Sequence, residues 1–222
     1  LYLLDGNPVY HVNHLLGFFS AFNPDAIKNT RFYKGSFPAE YGGRLSSVVD
    51  VRMNDGNRQE YHGNISVGLL SARANLEGPI VKDRSSFNVS VRRTWLDLIT
   101  GTALAIVNKN SDTKESFGYH FFDINAKVNH SFSERSRAYL SFYMGQDAFR
   151  QGSKEKHEDS DDMFLWRWGN LIGSAGWNYV FGQKLFGNLM VGYSRFRSHI
   201  RQEAKGYEIE GNRAERQSIK RD

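Results

Sequence analysis

Residues 23–51 read NPDAIKNTRFYKGSFPAEYGGRLSSVVDV and bring several different elements together in a short stretch. Asn23 or Asp25 can cap a short helix that begins at Pro24, because a side-chain oxygen accepts the unpaired amides of a first helical turn. A short strand, an aromatic–glycine turn at residues 41–43 and a second, alternating strand follow. This stretch therefore predicts a small unit of mixed helix and strand.

The chain changes character after this unit. From Tyr61 onward apolar and polar residues alternate with a period of two, which is typical of strands with one apolar face. In residues 121–132 the even positions are apolar, whereas the odd positions include Asp123 and Lys127. Several runs approach the roughly 9–11 residues that a tilted strand needs to cross a bilayer. The apolar parity changes once, near Leu69 and Leu70, and a tight reversal there is favoured over a bulge.

The connections between these strands alternate in length. Residues 78–85, 133–136 and 182–184 form short turns, whereas residues 96–116, 151–162 and 202–215 predict long polar loops. Short turns on one side and long loops on the other are typical of outer-membrane barrels. The turn near Ser133 is therefore expected on the periplasmic side, and the loop near Ser153 outside the cell.

Composition excludes several classes of function. The chain has no cysteine, so disulfides, iron–sulfur clusters and thiol catalysis are excluded. No apolar run approaches the roughly 18 residues of a membrane-spanning helix. The net charge is +5, but lysine and arginine are scattered among acidic residues, so nucleic-acid binding is not expected. No hydrolase signature such as GxSxG occurs, and neither enzymatic activity nor a cofactor is predicted.

Two groups of residues allow a metal site to be considered. His11 and His14 lie near Asp5 in the sequence, but no third ligand with convincing spacing accompanies them. The acidic residues of one predicted loop also attract attention, yet they follow no EF-hand pattern and a solvated loop is favoured. Those residues are Glu158, Asp159, Asp161 and Asp162. No metal is predicted at either place.

The order and spacing of several motifs resemble the plug domain and first barrel strands of TonB-dependent outer-membrane receptors. Residues 4–9, LDGNPV, resemble the strand and turn of such plugs, residues 23–35 their helix–strand step, and residues 40–48 the segment that closes the plug. Residues 76–95 resemble early barrel strands of the branch that includes the SusC-like importers. The resemblance assigns plug and gating roles to Asp5, Gly6, Tyr41, Gly42, Gly43 and Arg44.

The resemblance implies an all-β fold, a transmembrane antiparallel barrel segment preceded by part of a small α+β plug. Residues 1–57 would be the C-terminal part of the plug, and residues 58–222 about the first seven strands of an incomplete barrel. The implied location is the cell outer membrane, and the implied function is energised import of an unknown substrate. The implied partners are outer-membrane lipid, TonB acting through a segment that this chain lacks, and a surface lipoprotein.

The resemblance also suggests how plug and barrel are held together. Arg44, Arg92 and Arg93 are expected where the two meet, either as ion pairs that hold the plug or as ordinary inward-facing charge. Gly42 and Gly43 are expected to supply positive φ or close backbone approach. Two other readings stay open: a passive porin-like or adhesive outer-membrane barrel, and a soluble β-rich binding module or glycan enzyme.

Overall fold

The computed structural model describes residues 1–35, 37–42, 47–155, 161–210 and 213–221. Gly43 and Arg44, which carry predicted roles, lie outside the described residues, as do Glu158 and Asp159. The chain is mostly β, as predicted, with a small N-terminal unit followed by one large antiparallel sheet. The path leads from the first sheet into the large one between Met53 and His62.

The N-terminal unit contains a four-stranded sheet in the order β2-β1-β6-β5, in which β1 and β6 are parallel. Its strands are β1 (Tyr2–Leu4), β2 (Asn7–Pro8), β5 (Ile27–Tyr33) and β6 (Val48–Met53). A separate pair comprises β3 (Asn13–His14) and β4 (Phe19–Ser20), and single 3₁₀ turns cover Leu15–Gly17, Pro24–Ala26 and Ala39–Tyr41. The predicted helix is thus one 3₁₀ turn, in which the Asn23 side chain accepts a bond from the Asp25 amide at 3.2 Å.

The large sheet follows chain order without a crossover, and each strand pairs antiparallel with the next. Its strands are β7 (His62–Val67), β8 (Ser71–Val81), β9 (Ser85–Thr94), β10 (Thr113–Ser133), β11 (Ser136–Glu155), β12 (Asp161–Val180), β13 (Phe186–Glu210) and β14 (Arg213–Arg221). The described residues therefore contain eight strands of this sheet, against about seven predicted. The tight reversal near Leu69 and Leu70 is confirmed, because β7 and β8 form a hairpin there.

The predicted long loops are partly wrong. Helix α1 (Leu96–Val107) occupies most of the first one. Within it, the hydroxyls of Thr100 and Thr102 donate to carbonyls four residues earlier at 2.8 Å. The strands also continue into the other two loops, because β11 pairs with β12 up to Lys154 and β13 with β14 from Gln202. Among the described residues, no helix has the length and apolar character needed to cross a membrane.

The two faces of the large sheet differ in polarity and in what covers them. Asp123, Lys127 and Asp147 point inward, where they are buried against the N-terminal unit. Val128, Leu140 and Val191 point outward and are exposed. The predicted alternation is confirmed, because Asp123 and Lys127 lie on the face opposite Val128. Part of the core is shared, because Leu4 and Met53 of the unit pack with Tyr143 and Ile172 of the sheet.

Candidate functional site

The interface between the N-terminal unit and the inward face of the sheet holds two groups of charged side chains, all buried except Asp55 and Arg137. The first, the Lys127 cluster, comprises Asp5, Asp55, Lys127 and Arg137. The Lys127 ammonium lies 3.3 Å from Asp5 and 3.1 Å from Asp55, and donates to the Met53 carbonyl at 3.1 Å. Arg137 contacts the other Asp55 oxygen at 2.9 Å. Side chains of β10 and β11 thus form ion pairs with two acidic residues that precede the large sheet.

The second group, the His14 cluster, comprises His14, Arg92, Tyr119, Asp123 and Asp147. The His14 ring lies 2.7 Å from Asp147 through Nδ1 and 3.5 Å from Asp123 through Nε2. Arg92 contacts Asp123 at 2.6 Å, and the Tyr119 hydroxyl donates to Asp147. All five side chains are buried.

The His14 cluster holds backbone as well as side chains of the N-terminal unit. Arg92 donates to the Ser20 carbonyl at 2.7 Å, and the Leu15 amide donates to the Tyr119 hydroxyl at 2.5 Å. The ring of Phe121 stacks on His14 at 4.1 Å, and the Arg92 guanidinium lies 5.0 Å from its centroid. The turn between β3 and β4 is therefore fixed at several points.

Neighbouring charges shift the pKa of one group in each cluster. Burial lowers the pKa of His14, but the hydrogen bonds and charges of Asp123 and Asp147 outweigh burial, so that the pKa lies above its ordinary value. Burial raises the pKa of Asp55, but Lys28, Lys127 and Arg137 outweigh it and lower the pKa well below its usual range. Both shifts favour the charged form of the side chain in the docked state, in which the N-terminal unit lies against the inward face of the sheet.

Neutral hydrogen bonds join the N-terminal unit to the large sheet at a third place. Asn170 of β12 donates to the His11 carbonyl at 2.6 Å and accepts from the His11 amide at 3.3 Å. The Asn7 amide donates to the Ser174 hydroxyl, and the Ser194 hydroxyl donates to the Pro8 carbonyl at 2.5 Å. These contacts bring β12 and β13 into the interface.

Asp5 and Gly6, from the first predicted motif, lie at the interface. Their φ values are 45° and 82°, as in the two-residue type I′ turn that Asp-Gly favours, and they join β1 to β2. The Asp5 carboxylate accepts from the Met53 amide at 3.1 Å besides contacting Lys127. Gly6 faces the Met190 sulfur, which lies 2.5 Å from where a Cβ would stand. Glycine permits both the positive φ of this turn and its close approach to Met190.

Tyr41 and Gly42, from the last predicted motif, lie away from both clusters. The Tyr41 hydroxyl is 3.5 Å from Asp50 of β6, and burial together with Asp50 raises the pKa of Tyr41 to about 12. The expectation for Gly42 is wrong, because its φ is −61° and the nearest atom to an added Cβ is 4.0 Å away. Neither positive φ nor close approach requires glycine there. Gly43 and Arg44 lie outside the described residues.

The two adjacent arginines of β9 have opposite orientations. Arg92 points inward, pairs with Asp123 of the neighbouring strand β10, and reaches the N-terminal unit by donating to the Ser20 carbonyl. Arg93 points outward and pairs with Asp97 of helix α1 at 2.9 Å. The expected interface contact of Arg93 is therefore corrected, because successive side chains of a strand project to opposite faces.

Sequence reasoning missed most members of the two clusters. Asp123 and Lys127 were expected to face inward, but their partners His14, Asp147 and Asp55 were not identified. A signal existed, since Asp123, Lys127 and Asp147 are charged residues within strands whose other face is apolar. Their pairing depends on strand register, which the alternation alone leaves undefined.

Within the described ranges, no group of three His, Cys, Asp or Glu side chains has a geometry that could hold a metal ion. His14 binds two carboxylates directly, and His11 lies with its ring 6.0 Å from Trp168. The structure therefore offers ion pairs and hydrogen bonds at this site. Such contacts can hold two bodies together and can be exchanged for water when the bodies separate.

No family model and no curated protein matches this sequence. A similar solved structure is that of the siderophore receptor PirA from Acinetobacter baumannii, with 15% sequence identity and a TM-score of 0.43. The match covers 99% of this chain and 39% of the receptor chain. The chain thus spans well under half the length of that protein.

Proposed function

We propose that this chain forms the C-terminal part of the plug and the first strands of a TonB-dependent outer-membrane receptor, which imports a solute when its N-terminal unit is moved. One observation carries the proposal. The outward face of the large sheet is apolar over a continuous band, whereas its inward face is polar and is covered by a separate unit, whose His14 and Asp5 form buried ion pairs with the sheet. A sheet in water is expected to show the opposite arrangement, with its apolar face buried and its polar face exposed.

The outward band supports placement in a membrane. The strand register brings apolar residues of neighbouring strands into shared rows, as in Phe87–Val128–Leu140–Ala175–Val191. Leu140 is 65% exposed and Val191 63%, and no part of the described chain covers them. An exposed apolar surface that extends across several strands marks contact with lipid or another apolar partner.

The polar interface supports a movable plug. Among the described residues, the buried apolar clusters shared by the N-terminal unit and the sheet are small groups around Tyr143 and Phe121, whereas Asp5, Asp55 and His14 bind charged or polar partners. Water can replace such partners one by one as the unit shifts. Pulling by TonB from the periplasm would act on the side of the short turns, where the Lys127 cluster lies.

Three single-cysteine variants of the full-length protein test the proposal, because the chain contains no native cysteine. Lys154→Cys lies in an exposed part of β11 near the predicted outer loop, and Glu134→Cys lies in the opposite short turn. Ser174→Cys lies on the inward face beneath Asn7 and is 6% exposed. Cells are treated with an impermeant maleimide in rich medium, which supplies a mixture of candidate solutes.

We expect labelling at position 154 in intact cells, and at position 134 only after the outer membrane is opened. Labelling at position 174 should rise in cells with TonB and remain low in cells that lack it. Labelling at 174 that is independent of TonB would favour a passive barrel. Recovery of the protein in the soluble fraction without detergent would overturn the membrane assignment and favour a soluble binding module.

A further inference from the structure

A group of basic side chains lies on the outward face, directly beside the apolar band. This outer basic patch comprises Arg150, Arg167, Arg195, Arg197 and His199. The register places Arg195 opposite Leu171, Arg197 opposite Gly169 and His199 opposite Arg167, so the residues of β12 and β13 share neighbouring rows. All five side chains are exposed. A groove of about 580 Å³ is lined by four of them, Arg167, Arg195, Arg197 and His199.

Carboxylates lie near one edge of the patch, where Asp97 and Glu115 share a groove with Arg150 and Arg167. In the described part of the chain, no carboxylate forms an ion pair with Arg150, Arg167, Arg195 or Arg197. The nearby Arg93 differs, because it is paired with Asp97. Like charges on neighbouring strands destabilise a sheet, and four guanidinium groups remain charged at any physiological pH. Such a group is therefore suited to an anion that binds several guanidinium groups at once.

The position of the patch restricts the chemistry of that anion. On β13 the outward residues are Leu189, Val191 and Tyr193, and then Arg195 and Arg197. The change from apolar to basic occurs within one outward step, about 7 Å along the strand. A ligand that meets both surfaces carries an anionic group attached to apolar chains. Phosphate suits the arginines, because guanidinium binds its oxygens in bidentate geometry.

We infer that the outer basic patch binds the phosphate-bearing headgroup of a lipid whose acyl chains lie against the apolar band. The inference rests on the proposed membrane location and adds to it a specific lipid site on the outer side. Arg195 shows why such a site would matter. It follows Tyr193 by one outward step on β13, so its charge lies at the border of the apolar band, where an unpaired charge facing lipid is unfavourable. A lipid phosphate would supply a partner at this border.

The experiment uses the full-length protein, purified in a non-ionic detergent and freed of bound lipid. Native mass spectrometry follows the binding of diphosphorylated lipid A, of the same lipid after enzymatic removal of its phosphates, and of lipid A with excess inorganic phosphate. The test variant is Arg167→Gln with Arg197→Gln. The matched control is Arg135→Gln with Lys154→Gln, which removes the same charge at exposed positions outside the patch.

We expect the test variant to bind the diphosphorylated lipid at least about tenfold more weakly, because it loses two charge-assisted contacts. The control should bind within about twofold of wild type, and neither the dephosphorylated lipid nor inorganic phosphate should occupy the site. Equal lipid binding by both variants would overturn the inference. So would recovery of the wild type with an acidic protein, and not lipid, on this face.

A folding check separates this inference from the proposed function. Each variant is extracted from membranes, and its electrophoretic mobility is compared before and after heating, which distinguishes a folded barrel from an unfolded chain. A folded, detergent-dependent wild type without selective lipid binding would overturn only the lipid site. A wild type that needs no detergent would overturn the membrane assignment itself.

Discussion

The His14 and Lys127 clusters join the same two bodies through the same strand, but with different chemistry. Asp123 and Lys127 are two inward steps apart on β10, about 14 Å along the strand. The His14 cluster contains a histidine whose pKa lies above its ordinary value and whose ring stacks on Phe121. The Lys127 cluster contains no histidine and is held by ion pairs of a lysine and an arginine with two aspartates. We therefore expect the His14 cluster to respond to pH, and the Lys127 cluster to respond to the loss of a charge or to salt.

Removal of the Lys127 charge should produce the largest effect. Lys127 is 5% exposed and lies between two carboxylates, of which Asp5 is 1% exposed. Lys127→Met leaves Asp5 buried with a single amide donor from Met53. We expect the free energy of docking of the N-terminal unit to fall by about 3–5 kcal/mol, as when one partner of a buried ion pair is lost. Hydrogen exchange of residues 1–57 in the full-length protein measures it.

The double variant Lys127→Met with Asp5→Asn is the control. An asparagine keeps an oxygen that can accept from the Met53 amide, but it carries no charge, so most of the lost protection should return. If Lys127→Met alone leaves the exchange of residues 1–57 unchanged, Asp5 is solvated in the docked state and the Lys127 cluster does not hold the unit. If the double variant is as weak as the single one, packing of the lysine matters more than its charge.

The sequence predicts the faces of this sheet better than it predicts the contacts across them. Alternation correctly placed Asp123 and Lys127 inward, because the side-chain period of a strand is fixed by covalent geometry. The same rule would have placed Arg93 outward, since it has the parity of Val91. The period places Arg92 on the opposite face, with Asn88 and Ser90, so the two arginines cannot both reach the N-terminal unit.

Other features could not be derived from local pattern. His14 meets Asp147 across 133 positions of sequence, and this contact depends on the register of several strands and on the path of the N-terminal unit. Helix α1 (Leu96–Val107) was predicted as part of a long polar loop. Its position against β10 is set by tertiary contacts, such as that of Asp97 with His120 at 3.4 Å.

The His14 cluster should make docking depend on pH with a definite sign. The pKa of His14 is raised in the docked state, so its contribution is complete below the ordinary value of 6.5 and is lost as pH rises through the raised pKa. Each unit of that shift corresponds to about 1.4 kcal/mol. We expect protection of residues 1–57, corrected for intrinsic exchange rates, to decline from pH 6 to pH 9 in wild type. Asp123, Asp147, Arg92, Tyr119 and His11 face His14, and the first two supply the effect.

Two histidine variants sharpen the pH prediction. His14→Gln should remove the pH dependence of protection in this range. His11→Gln should preserve it, because burial lowers the pKa of His11 despite the opposing charge of Asp147, so this residue is neutral over most of the interval. A wild-type profile that is flat, or that rises with pH, would contradict a charged His14 between the two carboxylates.

The smallest effect should come from Arg137, which belongs to the Lys127 cluster but lies at its edge. Arg137 is 38% exposed, and its partner Asp55 retains Lys28 at 2.7 Å and Lys127 at 3.1 Å when the arginine is removed. Arg137→Gln should therefore lower the free energy of docking by less than about 1 kcal/mol, as for a solvent-accessible ion pair. At about 1 M salt, where screening acts within roughly 3 Å, even this difference should vanish, whereas that of Lys127→Met should persist. Hydrogen exchange of residues 1–57 at low and high salt compares the two. A cost for Arg137→Gln that equals that of Lys127→Met, or that is unchanged by salt, would mean that burial does not separate the centre of the cluster from its edge.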